Sequence, residues 1–257
     1  MTVAPARVLL LAVGLLGATG CASLGLEHPP TAPRSLPTIA SPSAVASPKA
    51  RTSGDGAALT EAQAQAALIT ESDLGAPWSA TRGAATWRDG MLKSTAAGPC
   101  QRLLDVLYTD ELLGGPPRAA VGLDDADTGA QLRYQIGGRT PQDADRALAW
   151  LATMPRDCAR FSARAGQDVT QDVQVFDAPL PEVGDARQGL RVVLRAQPPT
   201  GEPTVLTLDV AAVRVGEDSF ALTNGGLGDV ANEATQAAVQ VGALRLADVR
   251  KQGRAQV

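Results

Sequence analysis

From Leu59 onward the apolar positions keep a helical period first and a strand-like period later. Thr60 and Gln63 form a capping box, which satisfies two backbone donors and predicts a short helix to about Ile69. Asp73 to Trp78 reads as a loop. A second helix is expected from near Pro99, with Cys100, Leu103, Leu104 and Leu107 on one face. Residues 118–138 predict two strands around a polar turn, because Ala120, Gly122, and then Leu132, Tyr134 and Ile136, recur by two. Thr140 caps a third helix whose first residue is Pro141, where a missing N–H costs nothing. Its inner stripe is Ala144, Ala147, Leu148 and Leu151. Pro155 should end or kink it, ahead of a short turn carrying Cys158 and Phe161.

The period then changes to two. Residues 172–180, 189–197 and 204–216 predict strands, and in the second Leu190, Val192 and Leu194 face one way while Arg191 and Arg195 face the other. Residues 214–224 read as a hairpin turning at Gly216. A last helix is expected from an Asp229 N-cap to about Arg250, with a stripe of Val230, Ala234, Ala237, Val241 and Leu244. Helices gathered early and late around a run of strands give an α+β class. The expected form is an antiparallel-rich sheet with helices packed on one face, in a single domain over 59–257.

The first 58 residues follow other rules. Arg7 precedes an apolar run from Val8 to Leu16, and small residues follow it, as in a secretory signal peptide over 1–20. The run is shorter than the roughly 20 residues a bilayer span needs. Ala18 to Cys21 resembles the bacterial lipobox, with alanine where leucine is usual, so Cys21 is the expected lipidation site and mature N-terminus. Two or more acyl chains make such anchoring stable. Residues 21–58 are rich in Pro, Ser, Thr and Ala, a composition that cannot bury enough apolar area to order itself and predicts an extended spacer. The expected location is the extracytoplasmic face of the cell membrane, held by lipid.

Residues 59–250 resemble the PknH-like extracellular sensor domains, found on actinobacterial receptor kinases and as stand-alone lipoproteins. The resemblance rests on LTEAQAQAALITESDLGAPW, the cysteines in GPCQRLL and PRDCARF, the strand-rich tail with AAVRVGEDSFALTN, and the closing helix. It implies a non-catalytic sensor or binding domain. The two disulfides around a cleft that the family implies could here be only one.

The chemistry narrows the field. A net charge of −4 and a pI near 5.1 give no basic stripe for nucleic acid. The single histidine, His28, falls in the spacer, so no histidine-based triad or zinc site can form in the domain. No cofactor motif occurs, and no enzyme is expected. Asp124, Asp125 and Asp127 hint at a calcium loop, but Ile136 stands where the closing glutamate belongs, and a polar turn explains them. Trp78 and Trp87 could floor a ligand cleft or pin loops to the domain, while Trp150 reads as packing. Arg133, Arg191 and Arg195 could form an anion-binding stripe on an open sheet face, or simply a solvated one. With Cys21 lipidated in an oxidising compartment, Cys100 and Cys158 are the remaining pair for a disulfide. Two functions stay open: a sensor for an envelope ligand or protein partner, and a lipid carrier or envelope-assembly scaffold.

Overall fold

The structure is a computed structural model and describes residues 58–255, except 84, 86 and 167. The expected signal peptide, Cys21 and the expected spacer up to residue 57 lie outside the described residues. In chain order the elements are α1 (Glu61–Ala66), α2 (Glu71–Leu74), β1 (Trp78–Ala80), a π-helical turn (Arg88–Leu92), β2 (Ser94–Ala96) and α3 (Cys100–Thr109). There follow β3 (Ala119–Asp125), β4 (Gln131–Ile136), α4 (Pro141–Asp157), β5 (Arg160–Ala165) and β6 (Val169–Asp177). The chain ends in β7 (Ala186–Gln197), β8 (Thr204–Val215), β9 (Asp218–Leu227) and α5 (Asn232–Ala255). The strands form one antiparallel nine-stranded sheet in the order β1-β3-β4-β9-β8-β7-β6-β5-β2. The class is α+β.

The helices divide between both faces of the sheet, which corrects the expectation of one covered face. Leu206, Leu208, Val210 and Ala212 of β8 join Leu190, Val192 and Leu194 of β7 in one core, under Leu103, Leu107, Leu148 and Leu151 of α3 and α4. The alternate residues of β8, Ala211 and Val213, join Phe220, Leu222, Tyr134 and Ile136 in a second core under α5 and α1. Successive strand residues point to opposite faces, so the two cores lie on opposite sides. The reason is in β8 and β9 themselves. β8 is buried at every position from Leu206 to Val213, and β9 from Asp218 to Gly226. A strand buried on both faces needs helices on both.

Local signals place most of the helices. The expected Thr60–Gln63 capping box forms, Thr140 caps α4 and is joined by Asp143 in a second box, and a third, Thr70 with Asp73, starts α2 where a loop was expected. The face of α3 buries Cys100, Leu103, Leu104 and Leu107, and α4 buries its expected stripe together with Met154. Pro155 lies within α4, which continues to Asp157, and the expected turn beyond it is replaced by β5. The final helix differs more. It begins at Asn232, and it buries Thr235, Ala238, Val239, Gly242, Ala243, Leu246 and Val249, while Leu244 is 66% exposed. Gly242 decides the rotation, because only a residue without Cβ lets the helix lie against the Tyr134 ring.

Candidate functional site

Strand β7 sets Arg191 and Arg195 on the α5 side of the sheet, two steps apart on either side of Val193. At Arg191 the sheet meets the start of α5. Its Nε donates to Asp209 Oδ1 at 2.8 Å, and its Nη2 to Asp209 Oδ2 at 3.3 Å and to the Val230 carbonyl at 3.1 Å. Asp209 is 1% exposed and also accepts from Asn232 Nδ2 at 2.9 Å and Thr235 Oγ1 at 3.2 Å. The hydrogen bond to Asp209 raises the Arg191 pKa above its ordinary value. A buried carboxylate with this many donors is fully compensated. Asn224 completes the cluster by donating to the Ala231 carbonyl and to Thr235 Oγ1, both at 3.2 Å. The cluster locks β7, β8 and β9 to α5.

Beyond that lock α5 no longer covers the sheet. Alternation in β5, β6 and β7 puts Arg160, Ser162, Arg164, Thr170 and Arg195 outward, all exposed. Arg160 Nε donates to Asp172 Oδ1 at 3.0 Å, and that hydrogen bond holds the Asp172 carboxyl below the usual range. Arg195 lies directly across from Asp172 in the strand register, and Arg164 makes no ion pair with a described residue. Phe176, 47% exposed, stands across from Arg191 on the same face. Three arginines against one carboxylate, edged by an aromatic ring, make an open cationic face.

Arg133 does not belong to it. Its register neighbours are Thr223 on β9 and, one strand further, Val210, which places it on the face of α3 and α4. There its Nε lies 2.8 Å from Asp110 Oδ2, and Arg88 Nη2 lies 2.9 Å from Asp110 Oδ1. The buried Arg88 also donates to the carbonyls of Leu107 and Tyr108, the free ends of α3. The single stripe expected from Arg133, Arg191 and Arg195 is therefore split, because β4 and β7 present their arginines to opposite sides.

The tryptophans are split in the same way. Trp78 packs on the α5 side, and Trp87 is buried on the other, where it sits over Gly225. They cannot floor one cleft. Trp150 carries the Arg102 guanidinium 4.2 Å from its ring centre. A cleft of about 290 Å³ lies elsewhere, lined by Arg118, Arg139, Thr140, Glu217 and Asp218 among others. The Asp124 to Asp127 segment is a turn. Asp125 Oδ1 accepts from the Asp127 and Thr128 amides at 2.8 and 3.1 Å, and Asp124 Oδ1 accepts from Thr81 and Gln131 side chains at 2.8 Å each. Among the described residues no three acidic, cysteine or histidine side chains converge as a metal site. Cys100 and Cys158 are disulfide-bonded, with Cα atoms 5.7 Å apart, and join the start of α3 to the end of α4.

Arg160, Arg164, Phe176, Arg88 and Asp209 were not singled out in the sequence. The first two had a signal: Arg160 to Ala165 alternates polar and apolar residues, as a half-buried strand does. Arg88 had none, since the α3 carbonyls it binds, Leu107 and Tyr108, lie 19 and 20 positions further along the chain. Fold and site together define an α+β domain with an open arginine-bearing half-sheet. The chain matches no protein-family model and no curated protein. Among solved structures it is similar to the extracellular domain of PknH from Mycobacterium tuberculosis, at 16% identity and a TM-score of 0.46, over 76% of this chain and 99% of that one. The relationship is a distant structural one.

Proposed function

We propose that the protein is a non-catalytic, lipid-anchored domain on the extracytoplasmic side of the cell membrane, which binds an envelope ligand or partner through the open face of β5, β6 and β7. The observation that carries this reading is the uncovered half-sheet with Arg160, Arg164 and Arg195, since a soluble domain has no packing use for exposed arginines grouped on one flat face. Export is supported by the signal-like N-terminus and by the Cys100–Cys158 bond, which persists in oxidising compartments. Among the described residues no helix is long and apolar enough to cross a membrane, so in this reading Cys21 supplies the attachment. The carrier alternative asks for a long apolar cavity. Where helices cover the sheet the space between the layers is instead filled, with Leu190, Val192, Leu194, Tyr134 and Phe220 all wholly buried.

The test of the anchor is Cys21→Ala. The wild-type chain should yield an N-terminal peptide with the added mass of a diacylglyceryl group, and the variant should lose it and leave the membrane fraction. A variant that stays equally membrane-bound and is cut at the same peptide bond refutes the anchor.

A further inference from the structure

We propose that the ligand of the open face is the membrane itself: Arg160, Arg164 and Arg195 dock the half-sheet onto the anionic headgroups of the bilayer. This rests on the anchoring reading above and names the partner of that same face. Arg160 and Arg164 are four residues apart, about 13 Å along β5, and Arg195 lies two strands away, about 10 Å across. A patch of that size meets a field of charges rather than one small anion. The whole chain carries a net charge of −4, yet the outer positions of β5 to β7 hold Arg160, Arg164 and Arg195 against Asp172, while Asp229 and Glu233 offset Arg191 at the α5 end, so these three cations stand out from an acidic molecule. Complementarity therefore selects an anionic surface.

Two further features favour a bilayer over a soluble acidic partner. A chain of the length that separates Cys21 from Ala58 spans roughly 35 Å root-mean-square when unstructured. A lipid-held domain on such a tether meets the headgroups continually, so contacts too weak to recruit a free protein are enough to orient it. Phe176 then supplies what a charge contact lacks. It projects from the same face beside Arg191, half-exposed, where an aromatic ring settles at the headgroup boundary. Each net cation near an anionic surface shifts the docked equilibrium by about fivefold, so three arginines less the Asp172 carboxylate shift it by about 25-fold.

The test uses the full chain, purified with its lipid and reconstituted into vesicles, with Phe176→Trp as the reporter. Vesicles carry acyl chains brominated near the headgroup and are either wholly phosphatidylcholine or about one-third phosphatidylglycerol. Fluorescence from the parent chain, which retains Trp78, Trp87 and Trp150, is subtracted. The expected result is quenching of the new tryptophan in the anionic vesicles alone. It should disappear with Arg160→Gln, Arg164→Gln and Arg195→Gln combined, and in about 1 M salt, where the screening length falls to about 3 Å. Equal quenching in both vesicle types, or quenching that survives the triple substitution, overturns the proposal. The triple variant in the Phe176 background should keep the parent's unfolding midpoint, because all three side chains are exposed. The mass of the N-terminal peptide from the same preparation reports lipidation separately. A lipidated chain that shows no quenching defeats the docking and leaves the anchor standing. A chain without lipid defeats the anchor, and flotation of that chain with the same vesicles then decides the docking.

Discussion

Gly242 lies against the Tyr134 ring so closely that a Cβ there would come within 2.6 Å of it and 2.7 Å of its hydroxyl. That hydroxyl is buried with no hydrogen-bond partner among the described residues, and burial pushes its pKa well above that of a free phenol. Gly242→Ala should gain about 1 kcal/mol of helix propensity and lose more to overpacking, for a net destabilisation of about 1–2 kcal/mol. Gly253→Ala, in the same helix, would meet only the end of the Gln63 side chain, which can swing aside. It should be neutral or stabilising by about 0.5 kcal/mol. Urea unfolding of the two variants separates packing from propensity, and equal losses in both would refute the close-approach account. At this scale a partner within one turn was readable for α1 and α4, while the Thr70–Asp73 box of the same spacing was passed over. Thr60 with Gln63, and Thr140 with Pro141 and Asp143, announce their caps through spacing alone. Arg191 and Asp209 are 18 positions apart and meet only through strand register, which no local pattern encodes.

The contact between α2 and α5 is held by Asp73 and Arg245, whose Nη2 lies 2.9 Å from Oδ1 and 2.7 Å from Oδ2. Burial alone would raise the Asp73 carboxyl, but the hydrogen bond from Arg245 and those from Thr70 outweigh it and hold it below its ordinary 3.8. A lowered folded pKa means that the stabilisation is complete above the unfolded value and is lost as pH falls through the folded one. Asp73→Asn should therefore lower stability at neutral pH and flatten its decline below about pH 4. Denaturant midpoints taken from pH 2 to 7 check this, and parallel wild-type and variant curves would contradict it. Elements with strong apolar contrast were placed well: α3 and α4 bury the residues their spacing picks out. The face of α5 was not. In a helix of small residues the stripe through Ala234, Ala237 and Val241 is nearly as apolar as the true one, and the choice falls to Gly242, Leu246 and Val249 against the sheet. A long helix of weak contrast takes its rotation from its neighbour.

For the molecule as a whole, the one described cross-link is the Cys100–Cys158 disulfide, with a sequence separation of 58. Closing such a loop is worth about 4 kcal/mol at most in the chain-entropy model. Cys100→Ser with Cys158→Ser should cost about 2–4 kcal/mol, measured by thermal or urea unfolding, and the loss should vanish when both proteins are compared under reducing conditions. Hydrogen exchange in the double variant should rise most in α3 and the end of α4, the two segments the bond joins. The α+β class, the single domain and the strands β3, β4 and β6 to β9 could be read from the change of period, whereas β1, β2 and β5 could not. The two-sided covering could not, because it depends on β9 lying between β4 and β8, a pairing of segments far apart in the chain. That pairing also sets a timetable. The β3–β4 hairpin is complete by Ile136, but the strand that joins it to the rest of the sheet begins only at Asp218. As the chain leaves the ribosome from its N-terminus, the two halves of the sheet exist for the intervening residues as fragments with no seam between them.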